Sequence, residues 1–155
     1  MTVGSQKFQF NRLLKEIDRL VEENKITEEV FAQIGYSDYR PKNFDYTEFL
    51  DRDECSKWMN KCSKVITHGG TGAIIGAINS GKKVIAVPRL AKFGEHVDDH
   101  QLQIISKFKE MNLIICVNDI NNLYKTIESI DLLEFKKYQS NTKNIIKSID
   151  EYIQF

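Results

Sequence analysis

Lys64-Val-Ile-Thr-His68-Gly-Gly-Thr-Gly72-Ala-Ile-Ile-Gly76-Ala-Ile-Asn-Ser80-Gly-Lys-Lys-Val84-Ile-Ala-Val-Pro88 is the stretch that decides the fold. It reads as a short apolar strand ending at Thr67-His68, then a turn containing Gly69, Gly70 and Gly72. A helix follows from about Thr71 to Ser80, closed by Gly81, and a second buried strand runs from Val84 to Val87. That is a βαβ unit with its glycines at the strand-to-helix turn. Glycines there allow close approach of a ligand to the backbone, and the free N–H groups of a helix start favour an anion such as a diphosphate. Glycines needed only for a tight turn are the competing explanation. His68 favours the first, since it stands at the carboxyl end of a strand, where open α/β sheets bind ligands.

The chain around this unit has 155 residues, 41% hydrophobic and 28% charged, which suits one domain with a full core. Lys+Arg and Asp+Glu both total 22, so no basic excess points to nucleic acid as a partner. Cys55, Cys62 and Cys116 form no Cys-x-x-Cys and cannot all pair, the usage of a reducing cytoplasm. No secretory signal, long apolar run, repeat or linker is read, and the chain is expected to be a single domain over 1–155.

Working outward, Met1-Thr2-Val3 reads as a strand stub followed by a Gly4-Ser5-Gln6 turn. Phe10, Leu13, Leu14, Ile17, Leu20 and Val21 repeat at helical spacing. Val30 to Ile34 reads as a strand ending at Gly35, and Tyr36 to Leu50 as extended structure with turns near Pro41 and Asn43. Asp51 and Glu54 have the spacing of a capping box, opening a helix to about Cys62 whose Cys55, Trp58, Met59 and Cys62 are expected to face the core. A charged loop, Arg89 to Asp98, leads to a helix starting at Asp98 or Asp99 and running to Met111. Leu113 to Val117 reads as a buried strand, and Asn118 as the cap of the next helix. Residues 132–155 read as one long amphipathic helix. Alternating strands and helices give an α/β fold: a Rossmann-like, mostly parallel sheet with helices on both faces.

All three histidines, His68, His96 and His100, fall in loops or at the start of the helix after them. His96 and His100 are four apart, but no third residue has a recognisable ligand spacing, so no metal site is assigned. Hydrogen bonding is the preferred role, with His68 donating to a phosphate oxygen and His100 and Gln101 reading sugar hydroxyls. Glu95, Asp98 and Asp99 are candidate bases or hydroxyl-binding groups, with a solvated loop as the alternative. Arg89 and Lys92 can offset phosphate charge.

Thr67-His68-Gly69-Gly70-Thr71-Gly72-Ala73, Gly81, Pro88 and His96-Val-Asp-Asp-His-Gln101 together resemble the C-terminal, donor-binding domain of glycosyltransferase family 28 and related GT-B enzymes. Val3 to Leu13 is similar to the start of a subgroup of stand-alone subunits, the small halves of two-component transferases. The resemblance implies a UDP-sugar as substrate and no further cofactor, with the diphosphate at Gly4, Ser5, His68, Gly69, Gly70, Thr71, Gly72 and Ala73. The sugar is then expected near Glu95, Asp99, His100 and Gln101, with His68 as the catalytic residue and no metal.

The resemblance also implies a membrane-associated partner that binds a lipid-linked saccharide acceptor and recruits this cytoplasmic chain to the inner face of the plasma membrane. The subgroup match is closest to capsule and exopolysaccharide β-1,4-galactosyltransferase subunits, so UDP-galactose is the first donor expected, with an inverting reaction. Relatives often carry an acidic residue where this chain has Gly76, and Gly-Thr-His where it has Gly4-Ser5-Gln6. Ribose recognition and any base in the first turn must therefore come from elsewhere. Two other readings stand beside this one: a non-catalytic nucleotide-binding subunit that stabilises a membrane partner, and a stand-alone metal-dependent hydrolase using His96, His100 and a carboxylate.

Overall fold

The computed structural model describes residues 1–153. Helix α1 (Asn11–Glu22) is followed by strands β1 (Phe31–Gln33) and β2 (Asp45–Thr47), helix α2 (Arg52–Lys61), strand β3 (Lys64–Thr67) and helix α3 (Thr71–Asn79). Then come β4 (Lys83–Ala86), α4 (His100–Glu110), β5 (Ile115–Cys116), α5 (Leu123–Ser129) and α6 (Thr142–Ile153).

All strand pairings are parallel: β1 with β2, β3 with β4, and β4 with β5. The two groups are joined by the chain start, because Thr2 bridges both Gln33 and Thr67. Its N–H donates to the Ile66 carbonyl at 2.9 Å, and the Val3 N–H donates to the Gln33 carbonyl at 3.1 Å. The sheet order is therefore β2, β1, Thr2, β3, β4, β5, and the direction of winding reverses between Thr2 and β3. That is the topological switch point at which doubly wound sheets open a crevice, and here Gly4 and His68 stand on its two sides.

Alternating residues of β4 explain the two cores. Ile85 and Val87 pack with Phe10, Leu13, Leu14, Ile17 and Leu20 of the α1 region and with Leu123 and Ile127 of α5. Val84 and Ala86 face the other way, onto Ile74 and Ala77 of α3 and Ile105 of α4. The βαβ unit lies where the sequence places it, and Gly81 closes α3 with φ +71°.

Four local expectations are corrected. The 36–50 segment contains a true strand, β2, held by Asp18. This buried carboxylate accepts from the Tyr39 hydroxyl at 2.6 Å and the Asn43 N–H at 2.8 Å. Burial pushes the Asp18 carboxyl up, but the bonds from Tyr39, Asn43 and Lys42 outweigh it and hold it below its ordinary value. Second, α2 has the expected Asp51–Glu54 capping box, and Met59 and Cys62 pack against the core as expected, yet none of its residues is fully buried and Cys55 is exposed. Trp58 instead stacks on Phe31, ring centroids 3.7 Å apart. Third, Asp119 rather than Asn118 caps the turn leading into α5, accepting from the Asn121 N–H. Fourth, the terminal helix does not begin at residue 132. Residues 133–141 carry no helix, α6 starts at Thr142, and its Ile145, Ile146, Ile149 and Ile153 are exposed. Residues 154 and 155 of that expected helix lie outside the described residues.

Candidate active site

The carboxyl edge of the sheet carries three segments side by side: the Gly4 turn, the His68–Gly70 turn and the loop after β4. His68 is fixed by the first two. The residue is 7% exposed, and its ring lies between the backbones of Gly4 and Gly70. A Cβ on Gly4 would come within 2.6 Å of Cε1, and one on Gly70 within 2.5 Å of Nε2. Gly4 also has φ +78°, a conformation open to glycine and costly for other residues. These glycines therefore serve the packing of the imidazole as well as any ligand.

Nδ1 of His68 lies 3.3 Å from the Thr67 hydroxyl, and Nε2 faces Gly70 at the start of α3. Burial, with a smaller contribution from the nearby positive charge of Arg89, pushes the imidazole down to about 4. At neutral pH the ring is uncharged. Next to it, α3 begins at Gly70 with no side chain capping its first turn. Thr71 and Gly72 are exposed and Ala73 half-buried, so the helix start presents N–H groups and the positive dipole end to the outside. An oxyanion placed there would meet backbone donors and, at its flank, Nε2 of His68.

The loop after β4 is built differently from its expectation as a solvated, ligand-facing segment. Arg89 is fully buried: Nη2 donates to the Val3 carbonyl at 2.7 Å and the Phe8 carbonyl at 3.1 Å. Nε and Nη1 are buried with no partner among the described residues, and burial lowers the guanidinium to about 10. Arg89 is thus a strut under the site and not a surface charge awaiting phosphate; Lys92 remains exposed. Glu95 is also committed. Its carboxylate receives Arg12 in bidentate fashion, at 3.0 and 2.9 Å, and the Leu90 N–H at 3.0 Å. Glu95 thereby ties the loop to α1, leaving it little capacity for a sugar hydroxyl.

The remaining expected residues divide. Gln101 is buried in the first turn of α4, and its Oε1 accepts from the Arg89 N–H at 3.2 Å, leaving the amide nitrogen available. Asp99 is exposed and accepts from the Ala91 N–H at 2.9 Å. His100, exposed at the head of α4, donates its N–H to Asp98 at 3.0 Å. Ser5 is exposed in the first turn. His96 lies with its ring centroid 5.0 Å from that of Phe8, its Nδ1 3.1 Å from Asp98. Among the described residues no group of three or more His, Cys, Asp or Glu is arranged to hold a metal ion.

Arg12 was assigned only to the polar face of α1. The signal for its role was its position directly after Phe10-Asn11, facing a loop whose Glu95 needed a partner if buried. A cleft of about 620 Å³ lined by Ile78, Lys82, Leu113 and Tyr138 lies at the opposite, amino edge of the sheet, away from these groups.

Comparison with known proteins bears on the family and the fold. The family model described as "Glycosyltransferase family 28 C-terminal domain" matches residues 1–154. Among solved structures, the chain is similar to the crystal structure of Acinetobacter baumannii MurG, with 17% identity and a TM-score of 0.57. The similarity covers 85% of this chain and 42% of that one, so the chain spans less than half of that structure's length. No curated protein matches the chain.

Proposed function

The chain belongs to the glycosyltransferase family 28 C-terminal domain family, and from that premise we propose that it is the donor-binding, catalytic subunit of an inverting glycosyltransferase. The donor is a UDP-hexose, UDP-galactose first. The acceptor is a lipid-linked saccharide of capsule or exopolysaccharide synthesis, presented by a membrane-associated partner that completes the GT-B cleft. No helix among the described residues is long and apolar enough to cross a membrane, and this reading gives the membrane-associated role to the partner.

The observation that carries the reading is the pairing of His68 with the uncapped start of α3 at the switch point of the sheet. Transfer of the sugar leaves negative charge on the β-phosphate of UDP. Preorganised donors aimed at that charge lower the barrier without reorganising during the reaction. The backbone N–H groups of Thr71, Gly72 and Ala73 supply fixed donors, and no metal is called on. His68 adds a responsive one. A diphosphate beside the ring favours its charged form, so binding draws a proton onto an imidazole that burial otherwise keeps neutral. His100 and the free amide nitrogen of Gln101, at the start of α4, are the groups assigned to the sugar hydroxyls. The partner supplies the base for the acceptor hydroxyl.

Calorimetric titration of the isolated chain with UDP and UDP-galactose tests the donor assignment. One-to-one binding weakened by His68→Ala is expected. Saturating UDP-galactose with no heat and no perturbation of the His68 ring signal would contradict it.

A further inference from the structure

Arg89 carries a cost that packing alone does not explain. It is 0% exposed, two of its nitrogens have no partner, and its charge sits beside a histidine. A buried charge is costly unless it is paired and hydrogen-bonded, and here only Nη2 is bonded. The geometry shows what the cost maintains. A single nitrogen, Nη2, grips the Val3 and Phe8 carbonyls, which are the two ends of the Gly4–Lys7 turn. With its neck held, the turn keeps the Gly4 backbone pressed on the His68 ring. The Arg89 backbone is anchored in turn by Gln101 in the first turn of α4. One continuous path of hydrogen bonds and contacts therefore runs from α4 through Arg89 and the Gly4 turn to His68.

We propose that Arg89 is a positioning residue that closes the Gly4–Phe8 turn over His68 and joins both glycine turns and the start of α4 into one preorganised donor cradle. This rests on the donor-binding reading above. Arginine suits the role because the two N–H groups of its planar Nη2 point in fixed directions, one at each carbonyl, whereas a lysine ammonium is a point donor on a flexible stem. Arg89 also faces Glu95, which attracts it but is spent on Arg12, so its charge is felt by His68. His96 adds a weaker repulsion, and the Thr2 backbone bonds the ring in the opposite sense.

The test uses Arg89→Met and Arg89→Lys in the full chain, with three readouts: amide hydrogen exchange at residues 4–8, NMR titration of the His68 ring, and UDP affinity. In Arg89→Met, exchange at 4–8 accelerates, the His68 midpoint rises, and UDP affinity falls about tenfold, the loss of one good interaction. Arg89→Lys keeps the low His68 midpoint while losing the exchange protection. A fold that merely needed filling at this position would leave exchange at 4–8 and UDP affinity in Arg89→Met where the wild type has them, because the rise in the His68 midpoint follows from loss of the charge alone. Unchanged protection at 4–8 together with unchanged UDP affinity would overturn the proposal. Should Arg89→Met not fold, Arg89→Lys alone decides, through the exchange it loses and the titration it keeps. If UDP does not bind the wild-type chain, the donor reading fails, and the exchange and titration data, which need no ligand, decide the clasp.

Discussion

The backbone of Gly4 packs on the ring of His68 so closely that a Cβ at residue 4 would stand 2.6 Å from Cε1. The two residues are 64 positions apart and meet because Thr2 pairs with β3. Substitution at Gly4 or Gly70 must displace the imidazole, and at Gly4 it also meets a positive φ. Gly4→Ala and Gly70→Ala should each cost roughly 1–3 kcal/mol, the range for overpacking, and weaken UDP binding. Urea unfolding and calorimetry on the same samples check both.

Gly72 and Gly76 give the opposite expectation. A Cβ at either meets nothing within 4 Å, and both lie in α3. Gly→Ala there should stabilise by roughly 0.5–1 kcal/mol through helix propensity. Gly72, in the first turn, should lose donor affinity as it gains stability, whereas Gly76→Ala should gain stability alone. Equal UDP affinity in both variants would place the diphosphate away from the helix start.

Acid should act on the fold through His68. Its folded-state value is depressed to about 4, against an ordinary value of 6.5, so below 6.5 the unfolded chain binds the proton first. The contribution is complete above pH 6.5 and drains away as pH falls toward 4, by roughly 3 kcal/mol over that window. His68→Gln should lack this part of the pH dependence in urea titrations at pH 7 and 5. Saturating UDP should move the His68 midpoint upward in NMR titration of the wild type.

Arg12 and Glu95 form the one bidentate ion pair between α1 and the loop after β4, with the Glu95 side chain 1% exposed. Removing Arg12 alone leaves a buried carboxylate unpaired, so Arg12→Met should cost roughly 3–5 kcal/mol. Adding Glu95→Gln should recover much of that loss. A double-mutant cycle with no coupling would show that the pair does not hold the loop.

On α6, Ile146→Asp and Ile149→Asp should shift the stability of the isolated chain by less than about 0.5 kcal/mol, since both side chains are half exposed. If this face docks on the partner, the same changes should abolish co-purification of the pair. Retained co-purification would move the contact elsewhere.

The βαβ unit, α1, α3 and the parallel sheet were legible in the sequence because periodicity and glycine placement are local signals. The capping box of α2 was legible for the same reason. Long-range pairings were not. Arg89 and Glu95 look like loop charges, and only the fold reveals that Val3, Phe8 and Arg12 are close enough to bury them. Likewise β2 depends on Asp18, more than twenty residues before it. The terminal segment shows the reverse case: its apolar period extends back to Leu132, but Phe135 and Tyr138 pack against different core clusters, and residues 133–141 carry no helix. The residues expected at the site lie along one sheet edge, while the structural roles of Arg89 and Glu95, which are buried, could not be read from residue type.

The most direct measurement is transfer from UDP-galactose to a lipid-linked saccharide by the chain with its membrane-associated partner, comparing wild type with a folded His68→Ala. The account predicts activity that needs both chains and falls by about 10²–10³ in the variant, the loss typical of removing one oxyanion donor. Undiminished transfer by the pair carrying His68→Ala would contradict it and locate the catalytic site in the partner.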